Sequence, residues 1–376
     1  MLRVLHVGKF FPPVRGGMER VVHTLCTIAR ERLQSEVLAF HTGTRTVHET
    51  IDGVPVTRVG SLGSAGSVPI SPAFAAHVRR ARADVMILHE PNPWALLSHL
   101  LARPAVPLAI WYHSDVVRPA MQYRLFYAPV ARPVYARAQR FIVSSPALAE
   151  HAAALDGQST KVAVIPFGID AAAWTLSSAD KERVDQLRRT IDRPILLFAG
   201  RHVPYKGVDV LIRAAAPLPV HVIVAGEGPL RSEWQQLARN GSPTASFEFT
   251  GEIGDGELRV RMHACDVFVL PSVTRAEAFG FVQLEAMACG KPVVSTRVAS
   301  GVPWVNRDGE TGLLADPGDV DSLRSALTRL IEDDALRARL GKAAASRVRE
   351  EFRLETMAER FVHCCEQVAR TGAVSR

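Results

Sequence analysis

The amino-acid sequence predicts an α/β protein made of two similar, doubly wound domains. Its 376 residues exceed one ordinary hydrophobic core, since domains commonly hold roughly 100 to 200 residues. In each half, short apolar runs alternate with amphipathic stretches of helical period, which is typical of parallel sheets covered by helices. Small, polar and charged residues interrupt this pattern at 171–193. We therefore expect a first domain over residues 1–175 and a second over residues 176–376.

The order of the elements is similar in the two halves. LRVLHVG predicts a first strand, and GGMERVVHTLCTIARER follows with apolar residues at helical spacing. Further predicted strands of the first half are SEVLAFH, VPVTRVG, DVMILHE, LAIWYH and RFIVSS. Those of the second half are PILLFAG, VHVIVAGEG, FEFTGEI, CDVFVLPS and KPVVST. After about residue 320 the pattern is helical, and we expect the amphipathic EEFRLETMAERFVHCCEQVAR to pack back across the domains.

Composition narrows the class of protein. With 47% hydrophobic and 22% charged residues, the chain is ordinary for a globular protein. No run reaches the roughly 18 uncharged apolar residues of a membrane span, and MLRVLHVGKFFPP reaches proline too soon for a secretory signal. We therefore expect a cytoplasmic protein. The five cysteines form no C-x-x-C pair, which indicates buried apolar residues rather than disulfides or a zinc site.

The net charge of +7 lies entirely in the first half of the chain. Residues 1–175 hold 18 Lys and Arg against 11 Asp and Glu, and the remainder holds 27 of each. This asymmetry indicates an anionic partner for the first half, either a phosphate-bearing ligand or a membrane surface. A sequence pI near 9.4 also raises the possibility of nucleic-acid binding. No recognition module accompanies the basic residues, so we expect no nucleic-acid partner.

The stretch RAEAFGFVQLEAMACGKPVVST places two carboxylates in apolar surroundings. Glu277 is expected just outside a helix that begins at Phe279 or Gly280, and Glu285 about one and a half turns inside it. Because both follow a strand, they should face the ligand crevice at the carboxyl ends of the strands. Acids at a helix start can also serve only to stabilise its dipole, an alternative that fits Glu277 better than Glu285.

The start of this helix indicates what the carboxylates bind. The first backbone N–H groups of a helix have no partner within it, so those of Gly280, Phe281 and Val282 would favour an anion such as a pyrophosphate. A carboxylate beside a phosphate would repel it, but a carboxylate accepts hydrogen bonds from a diol. Two carboxylates that flank a phosphate site therefore indicate a sugar, a diphosphate and a ribose in a row, which is a nucleotide sugar.

Three other loops contain candidate site residues. FAGRHVPYKGVDVLIRAA places Arg201 and Lys206 after a strand, where two cations can neutralise a diphosphate. GGMER supplies Gly16 and Gly17, which let the backbone approach a ligand closely, although a plain turn is the simpler interpretation. WYHSDVV places His113 at a strand end, where it can contact a transferred sugar or act in proton transfer. A purely structural histidine is the alternative.

A basic and aromatic segment lies at residues 116–141. Between Val116 and Ala149 no acidic residue occurs. The cationic and aromatic residues that interleave here are Arg118, Arg124, Arg132, Arg137, Arg140, Tyr123, Phe126, Tyr127 and Tyr135. This mixture suits an anionic bilayer interface, and the alternative is an exposed basic helix packed on its own domain.

Together these motifs resemble family 4 of the retaining nucleotide-sugar glycosyltransferases, which have the GT-B architecture. The resemblance rests on R-x-x-P-x-K-G at residues 201–207, on E-x7-E in EAFGFVQLE, on LEAMACGKPVV and on the early GG loop. It covers most of the second half and, more loosely, the start and the HSD and VIPFGID segments of the first. It implies two Rossmann-like domains facing a central cleft, with the terminal helix packing back across them.

The resemblance also implies roles for the candidate residues in the second half. Arg201 and Lys206 would bind the donor diphosphate. Glu277 would hold hydroxyls of the transferred sugar, and Glu285 would hold the ribose. Replacing Glu277 by alanine should then abolish transfer and leave the fold intact.

In the first half, His113 resembles the active-site histidine beside the sugar, and Gly16 and Gly17 resemble the loop that closes on the phosphates and acceptor. Phe167 departs from the family, in which many members have asparagine in a VIPNG segment. We expect this departure to leave donor chemistry unaffected and to alter local packing at the hinge.

The chemistry expected from the resemblance needs no cofactor. Breaking the anomeric C–O bond releases a nucleoside diphosphate anion, which Arg201, Lys206 and the helix N-terminus can stabilise. No convincing D-x-D follows a strand, so we expect no obligatory metal. No double-displacement nucleophile is evident, and the family is usually discussed as reacting on one face of the sugar.

The acceptor and donor are only weakly indicated. Polyprenyl-diphosphate acceptors are common among such relatives, so we expect a lipid-linked or saccharide acceptor and a peripheral position at the inner face of the plasma membrane. YHSD and GVPWVN favour a mannosyl- or rhamnosyltransferase that uses a GDP-sugar in polysaccharide assembly. A UDP-sugar is the alternative. A related nucleotide-sugar 2-epimerase is a further alternative, but it would leave the basic segment unexplained.

Overall fold

The computed structural model describes residues 1–14, 16–66, 68–114, 125, 127–241 and 244–374, without the side chains of residues 153 and 372–374. The chain divides into two compact units, Met1–Phe167 with Leu354–Arg376, and Gly168–Arg353. The first break therefore lies at residue 167 rather than 175, and the terminal helix belongs to the first unit.

The first unit is built on a mainly parallel sheet. Its strands are β1 (Leu2–Val7), β2 (Leu33–Phe40), β3 (Val47–Ile51), β4 (Val54–Val59), β7 (Val85–Glu90), β8 (Leu108–Tyr112), β9 (Arg140–Val143) and β10 (Val162–Val164), with β5 (Ser64–Ala65) and β6 (Val68–Pro69) as a separate pair. In the described part of the chain the order is β10–β9–β8–β7–β1–β2–β4–β3, and only the β3–β4 pairing in it is antiparallel.

The second unit contains a wholly parallel sheet. Its strands are β11 (Ile195–Ala199), β12 (His221–Ala225), β13 (Ser246–Gly251), β14 (Val267–Leu270), β15 (Val293–Thr296) and β16 (Gly312–Ala315). As far as the described residues go, they lie in the order β13–β12–β11–β14–β15–β16. Apart from the edge strand β13, which is only partly buried, the strands are almost entirely buried, which is why they read as continuous apolar runs.

Helices cover both sheets. Those of the first unit are α1 (Gly17–Ile28), α2 (Phe74–Arg80), α3 (Pro93–Ala102), α4 (Ala128–Arg137), α5 (Pro146–His151) and, at the end of the chain, α14 (Leu354–Val374). Those of the second unit are α6 (Ser178–Thr190), α7 (Val208–Ala215), α8 (Arg231–Arg239), α9 (Asp255–Ala264), α10 (Val282–Ala288), α11 (Val302–Val305), α12 (Val320–Glu332) and α13 (Asp334–Glu351). Two Rossmann-like α/β domains are confirmed.

The polar stretch at 171–193 is mostly helix rather than a linker. Ser177 and Asp180 form a capping box that starts α6, with the Asp180 N–H donating to the Ser177 hydroxyl at 3.1 Å. Arg259 of α9 donates to the Asp180 carboxylate at 2.9 Å. Because α6 docks through charged groups and buries few apolar residues, its hydrophobic pattern did not reveal it.

The terminal helix α14 packs on the first sheet. It contacts α1, β1 and β7. Phe361 is fully buried, with its ring centroid 5.7 Å from that of His6 in β1. At the surface, Arg32 donates to the Glu366 carboxylate at 3.3 Å. These contacts explain why the end of the chain belongs to the first unit.

The segment predicted to contact a membrane is only partly described. Residues 116–124 and Phe126 lie outside the described residues. Leu125 is 62% exposed, and Arg132 and Arg137 are also exposed. Tyr127 and Tyr135, which the sequence assigned to the membrane interface, are instead buried. That part of the prediction is wrong, because both rings pack in the core of the first unit.

None of the helices among residues 1–114 and 127–374 that the structure describes has both the length and the apolar character of a membrane span.

One buried carboxyl makes the stability of the first unit depend on pH. Glu90 is fully buried at the end of β7, where the Tyr127 hydroxyl donates a hydrogen bond to it. Burial raises the pKa of Glu90 from 4.5 to about 8, although the Tyr127 bond opposes the shift. Between those pH values the folded chain keeps a proton that the unfolded chain has lost, so stability falls as pH rises through this range.

The Glu90→Gln variant should lack this loss, because an amide cannot ionise. We expect its Tm, relative to that of the native sequence, to rise between about pH 5 and about pH 8. Thermal unfolding followed by circular dichroism at both pH values measures the effect. Glu150→Gln, which changes an exposed carboxyl of the same unit, is the control. A Tm difference for Glu90→Gln that is equal at the two pH values contradicts the prediction.

Candidate active site

The candidate site of the second unit lies where the strand order reverses. β11 is the first strand of this sheet along the chain. β12 pairs on one side of it, and β14 pairs on the other. In open α/β sheets, ligands bind at the carboxyl ends of the strands at such a reversal. The loop after β11 contains Arg201 and Lys206, and the loop after β14 contains Glu277. The topology thus brings these sequence-predicted residues to adjacent loops.

The two loops are in direct contact. Pro204–Lys206 form a single 3₁₀ turn that ends at Gly207, whose φ is +65°. A Cβ atom at Gly207 would overlap the carbonyl oxygen of Pro271, so the close approach requires glycine. The backbone N–H of Val273 donates to the carbonyl of Tyr205 at 2.9 Å. This contact places the Lys206 side chain against the β14 loop.

Lys206 and Glu277 form a buried ion pair. The Lys206 Nζ lies 2.5 Å from the Glu277 Oε2, and each side chain is 11% exposed. The Ser272 hydroxyl also donates to the Glu277 Oε2, at 3.2 Å. The sequence assigned Lys206 and Glu277 to different parts of a ligand, whereas the structure pairs them with each other.

The environment of Lys206 keeps it charged. Burial by itself would lower the pKa of this amine, but the Glu277 carboxylate, helped by Tyr205, outweighs burial and raises the pKa above its ordinary value. The Arg201 side chain is exposed, and it forms no ion pair with any residue that the structure describes. The loop after β11 therefore presents one fixed, buried cation and one exposed cation.

Helix α10, which follows the loop after β14, begins at Val282, two residues later than Gly280. Gly280 has φ +69°, and a Cβ there would lie 2.6 Å from the Leu270 side chain. The carbonyl of Gly280 accepts from the N–H of Gln283 at 2.8 Å. The N–H groups of Gly280 and Val282 donate to no described residue. Since α10 has only two turns, these N–H groups matter more for an anion than any helix dipole.

Glu285 is deep in the site. It lies in the first turn of α10, rather than one and a half turns inside the helix, because α10 begins at Val282. It is only 3% exposed, and its neighbours in the chain, Leu284 and Ala286, are fully buried. The sequence predicts that this carboxylate holds a ribose. A carboxylate so largely removed from water can contact a ligand only through its small exposed part, which limits it to one edge of that ligand.

The remaining predicted residues belong to the first unit. His113 follows β8, and its backbone N–H donates to the Glu90 carbonyl at 2.9 Å. Gly16 caps α1 in extended conformation, and a Cβ there would overlap the Glu19 carboxylate. Gly17 is the first residue of α1, with open space around its Cα.

The surroundings of His113 are aromatic. The ring of Phe167, the residue that departs from the family pattern, stacks at 6.1 Å from the His113 ring. Trp111 stacks at 5.7 Å, and His89 at 5.2 Å. Burial lowers the pKa of His113 to about 3, so the imidazole is neutral at physiological pH. Phe167 thus lies beside a predicted site residue rather than only at a hinge.

Sequence reasoning missed several residues of these sites. Ser272, whose hydroxyl donates a hydrogen bond to Glu277, lies two residues after the end of β14. A single serine at a strand end is a weak signal in a sequence. His202 is fully buried, and its ring is tilted by 49° against that of Trp234, with the ring centroids 5.0 Å apart. The backbone N–H of His202 donates to the backbone carbonyl of Glu227 at 2.8 Å, and this bond joins the loops after β11 and β12. The alternate glycines of AGEGP could have indicated this close approach.

Two protein-family models together match most of the chain. Residues 16–168 match the "Glycosyl transferase 4-like domain". Residues 180–347 match "Glycosyl transferases group 1". The first match covers most of the first structural unit, and the second covers most of the strands and loops of the candidate site.

Three curated relatives align over nearly their full lengths. The O-antigen chain mannosyltransferase C of Escherichia coli is 29% identical, over 96% of this chain and 97% of that protein. The D-rhamnosyltransferase WbpZ of Pseudomonas aeruginosa is 28% identical, over 93% and 92%. The phosphatidyl-myo-inositol mannosyltransferase of Mycobacterium leprae is 30% identical, over 98% of each chain.

Solved structures share the fold. A sucrose-phosphate synthase from Thermosynechococcus elongatus superposes with a TM-score of 0.81 at 22% identity, over 99% of this chain and 100% of that chain. HepE of Anabaena, in complex with UDP and glucose, superposes with a TM-score of 0.76 at 23% identity, over 98% and 100%. With family models matching both halves and a relative 30% identical along the whole chain, the protein belongs to family 4 of the GT-B glycosyltransferases, enzymes that transfer a sugar from a nucleotide sugar.

Proposed function

We propose that the protein transfers a mannosyl or rhamnosyl unit from a GDP-sugar to a lipid-linked or saccharide acceptor. Transfer in polysaccharide or glycolipid assembly agrees with its relatives, which include an O-antigen chain mannosyltransferase, a D-rhamnosyltransferase and a phosphatidyl-myo-inositol mannosyltransferase. A UDP-sugar is the alternative donor, and the HepE structure with UDP and glucose supports it only at the level of the fold.

The observation that carries the proposal is the buried Lys206–Glu277 pair at the strand-order reversal. Lys206 remains protonated there and meets the donor diphosphate, together with the exposed Arg201. Glu277 accepts hydrogen bonds from hydroxyls of the transferred sugar. One residue of the pair thus binds the leaving group and the other binds the sugar, on opposite sides of the bond that breaks.

Catalysis then follows from the charge that develops. As the anomeric C–O bond breaks, negative charge grows on the diphosphate oxygens. A cation that is already positioned and partly shielded from water stabilises this charge without reorganisation. The N–H groups of Gly280 and Val282, which donate to no described residue, supply hydrogen bonds beside it, and Glu285 binds the ribose. The proposal requires no metal ion, and activity should therefore persist in EDTA.

The family resemblance assigns the remaining roles to residues of the first unit. His113 would contact the transferred sugar, and Gly16 and Gly17 would contact the phosphates and acceptor. The exposed Arg132 and Arg137 of α4 support contact with an anionic membrane surface at the cytoplasmic side, where a lipid-linked acceptor is held.

Calorimetric titration of GDP and UDP, with EDTA present throughout, tests the donor site. We expect saturable binding of one of the two nucleotides. The Glu285→Ala variant should bind that nucleotide roughly 10- to 100-fold more weakly, because a hydrogen bond to a charged group contributes about 1.5–3 kcal/mol. Binding of GDP selects GDP-sugars for transfer assays, and binding of UDP selects the alternative.

Glu332→Ala is the matched control, since it removes an exposed carboxylate from α12 of the same unit. Its affinity should equal that of the native sequence. If neither GDP nor UDP binds, ADP and TDP are titrated next. Failure of all four nucleotides would contradict the donor-site assignment.

A further inference from the structure

Three histidines form a continuous hydrogen-bonded row in the first unit. They come from the neighbouring strands β1 and β7 and from the residue that follows β8. The Nδ1 of His6 lies 3.0 Å from the Nε2 of His89. The Nδ1 of His89 lies 2.9 Å from the Nε2 of His113. The row therefore starts inside the sheet and ends at His113, at the edge where ligands bind in this architecture.

All three imidazoles are neutral. Burial lowers the pKa of His6 and of His113 to about 3. Burial, with the charges that His113 and His6 would carry, lowers the pKa of His89 well below its ordinary value. A neutral imidazole has one N–H donor and one lone pair. Each inner hydrogen bond uses one donor and one acceptor, so both bonds must run in the same direction along the row.

The far end of the row decides that direction. The Nε2 of His6 is buried and has no hydrogen-bond partner among the residues that the structure describes. Helix α14 covers this end, with the Phe361 ring 5.7 Å from the His6 ring. Buried N–H groups without an acceptor are rarer and more costly than acceptors without a donor. The Nε2 of His6 is therefore the unprotonated nitrogen, and the Nδ1 of His6 carries the proton.

The protonation of the whole row follows from this end. His6 Nδ1–H donates to His89 Nε2, and His89 Nδ1–H donates to His113 Nε2. The proton of His113 must then be on Nδ1, the nitrogen that has no partner among the described residues. The opposite direction would leave the N–H of His6 buried beneath α14 without an acceptor.

We propose that His6 and His89 are positioning residues that hold His113 in the Nδ1–H tautomer, so that His113 donates a hydrogen bond to a hydroxyl oxygen of the transferred sugar. His113 then orients the sugar and cannot take a proton at Nδ1. The tautomer depends only on the row itself. Its use on a sugar rests on the proposed function, in which His113 lies beside the transferred unit.

Long-range ¹H–¹⁵N correlation spectra of the full chain, labelled with ¹⁵N-histidine, test the tautomer directly. The chain has 13 histidines, and loss of signals in His113→Gln and His89→Asn assigns the two that matter. We expect His113 to show a protonated Nδ1 and an unprotonated Nε2 at neutral pH. A protonated Nε2, alone or with a protonated Nδ1, would overturn the inference.

A matched pair of variants tests whether position 89 sets the tautomer. His89→Asn can still donate through its amide to His113 Nε2, so His113 should keep its proton on Nδ1. His89→Asp has the same shape but only accepts when ionised, so His113 Nε2 should become protonated. The same His113 spectrum in both variants would overturn the role of His89. If His89→Asp does not fold, the native spectrum and His89→Asn still decide the tautomer.

Failure of this inference is distinguishable from failure of the proposed function. The spectra require no ligand and report only on the first unit. The calorimetric titration of GDP and UDP reports on the donor site of the second unit. An unexpected His113 tautomer with normal nucleotide binding overturns only the role of the row, whereas the expected tautomer without nucleotide binding overturns only the donor assignment.

Discussion

The Glu277→Gln variant should lose sugar transfer by about 100- to 1,000-fold, the effect typical of removing one preorganised electrostatic contact from an active site. The amide keeps the shape of the side chain and can still accept from Ser272. It lacks the charge that holds Lys206 and the sugar hydroxyls. Initial rates of transfer at saturating donor, with thermal unfolding as a parallel readout, measure the effect. Near-normal turnover would contradict the assignment of Glu277.

Glutamine is a better replacement than alanine for a structural reason. Glu277→Ala removes the partner of a buried lysine, and breaking a buried pair commonly costs about 3–5 kcal/mol. The expectation from sequence that this variant leaves the fold intact is therefore revised. Glu332→Gln, at an exposed position on α12, controls for the loss of a carboxylate elsewhere in the same unit. It should leave both transfer and Tm unchanged.

Lys206→Met should reduce transfer by a similar factor, about 100- to 1,000-fold, because the departing diphosphate loses its buried cation. Methionine fills much of the volume of the lysine stem, so the effect comes mainly from charge. We also expect a lower Tm, since Glu277 then lies buried without its ion-pair partner. Transfer rates and thermal unfolding of the same preparations give both quantities.

The double variant Lys206→Met with Glu277→Gln separates the two effects. It removes both charges of the pair, so its Tm should recover towards that of the native sequence. Its transfer rate should not recover. Recovery of transfer together with stability would show that the pair is structural and would contradict its role in binding the donor.

Much of the fold could be predicted from residue patterns. The buried strands of both sheets are short apolar runs, and a parallel sheet covered on both faces makes such runs continuous. The runs PILLFAG and CDVFVLPS correspond to β11 and β14, the strands that carry the candidate site. The strands β3, β10 and β16, and the pair β5 and β6, were not predicted. β3 is largely exposed, and the others are only two to four residues long.

The domain boundary was harder to predict, because it depends on what each segment packs against. Residues 178–190 look like a polar linker, yet they form a helix held by the Ser177 cap and by Arg259. In the basic and aromatic segment at residues 116–141, Tyr127 and Tyr135 look like residues of a membrane interface beside arginines, yet both rings are buried. Local composition does not reveal which face of a residue becomes covered.

Local patterns of residue type and spacing were enough to identify the family, the two α/β units and the short segments that carry the candidate site residues. How those residues pair could be seen only in the folded chain. It joins Lys206 to Glu277, which are 71 positions apart, and aligns His6, His89 and His113 in one row. The strand order brings these positions together, and strand order follows from long-range packing that no single segment encodes.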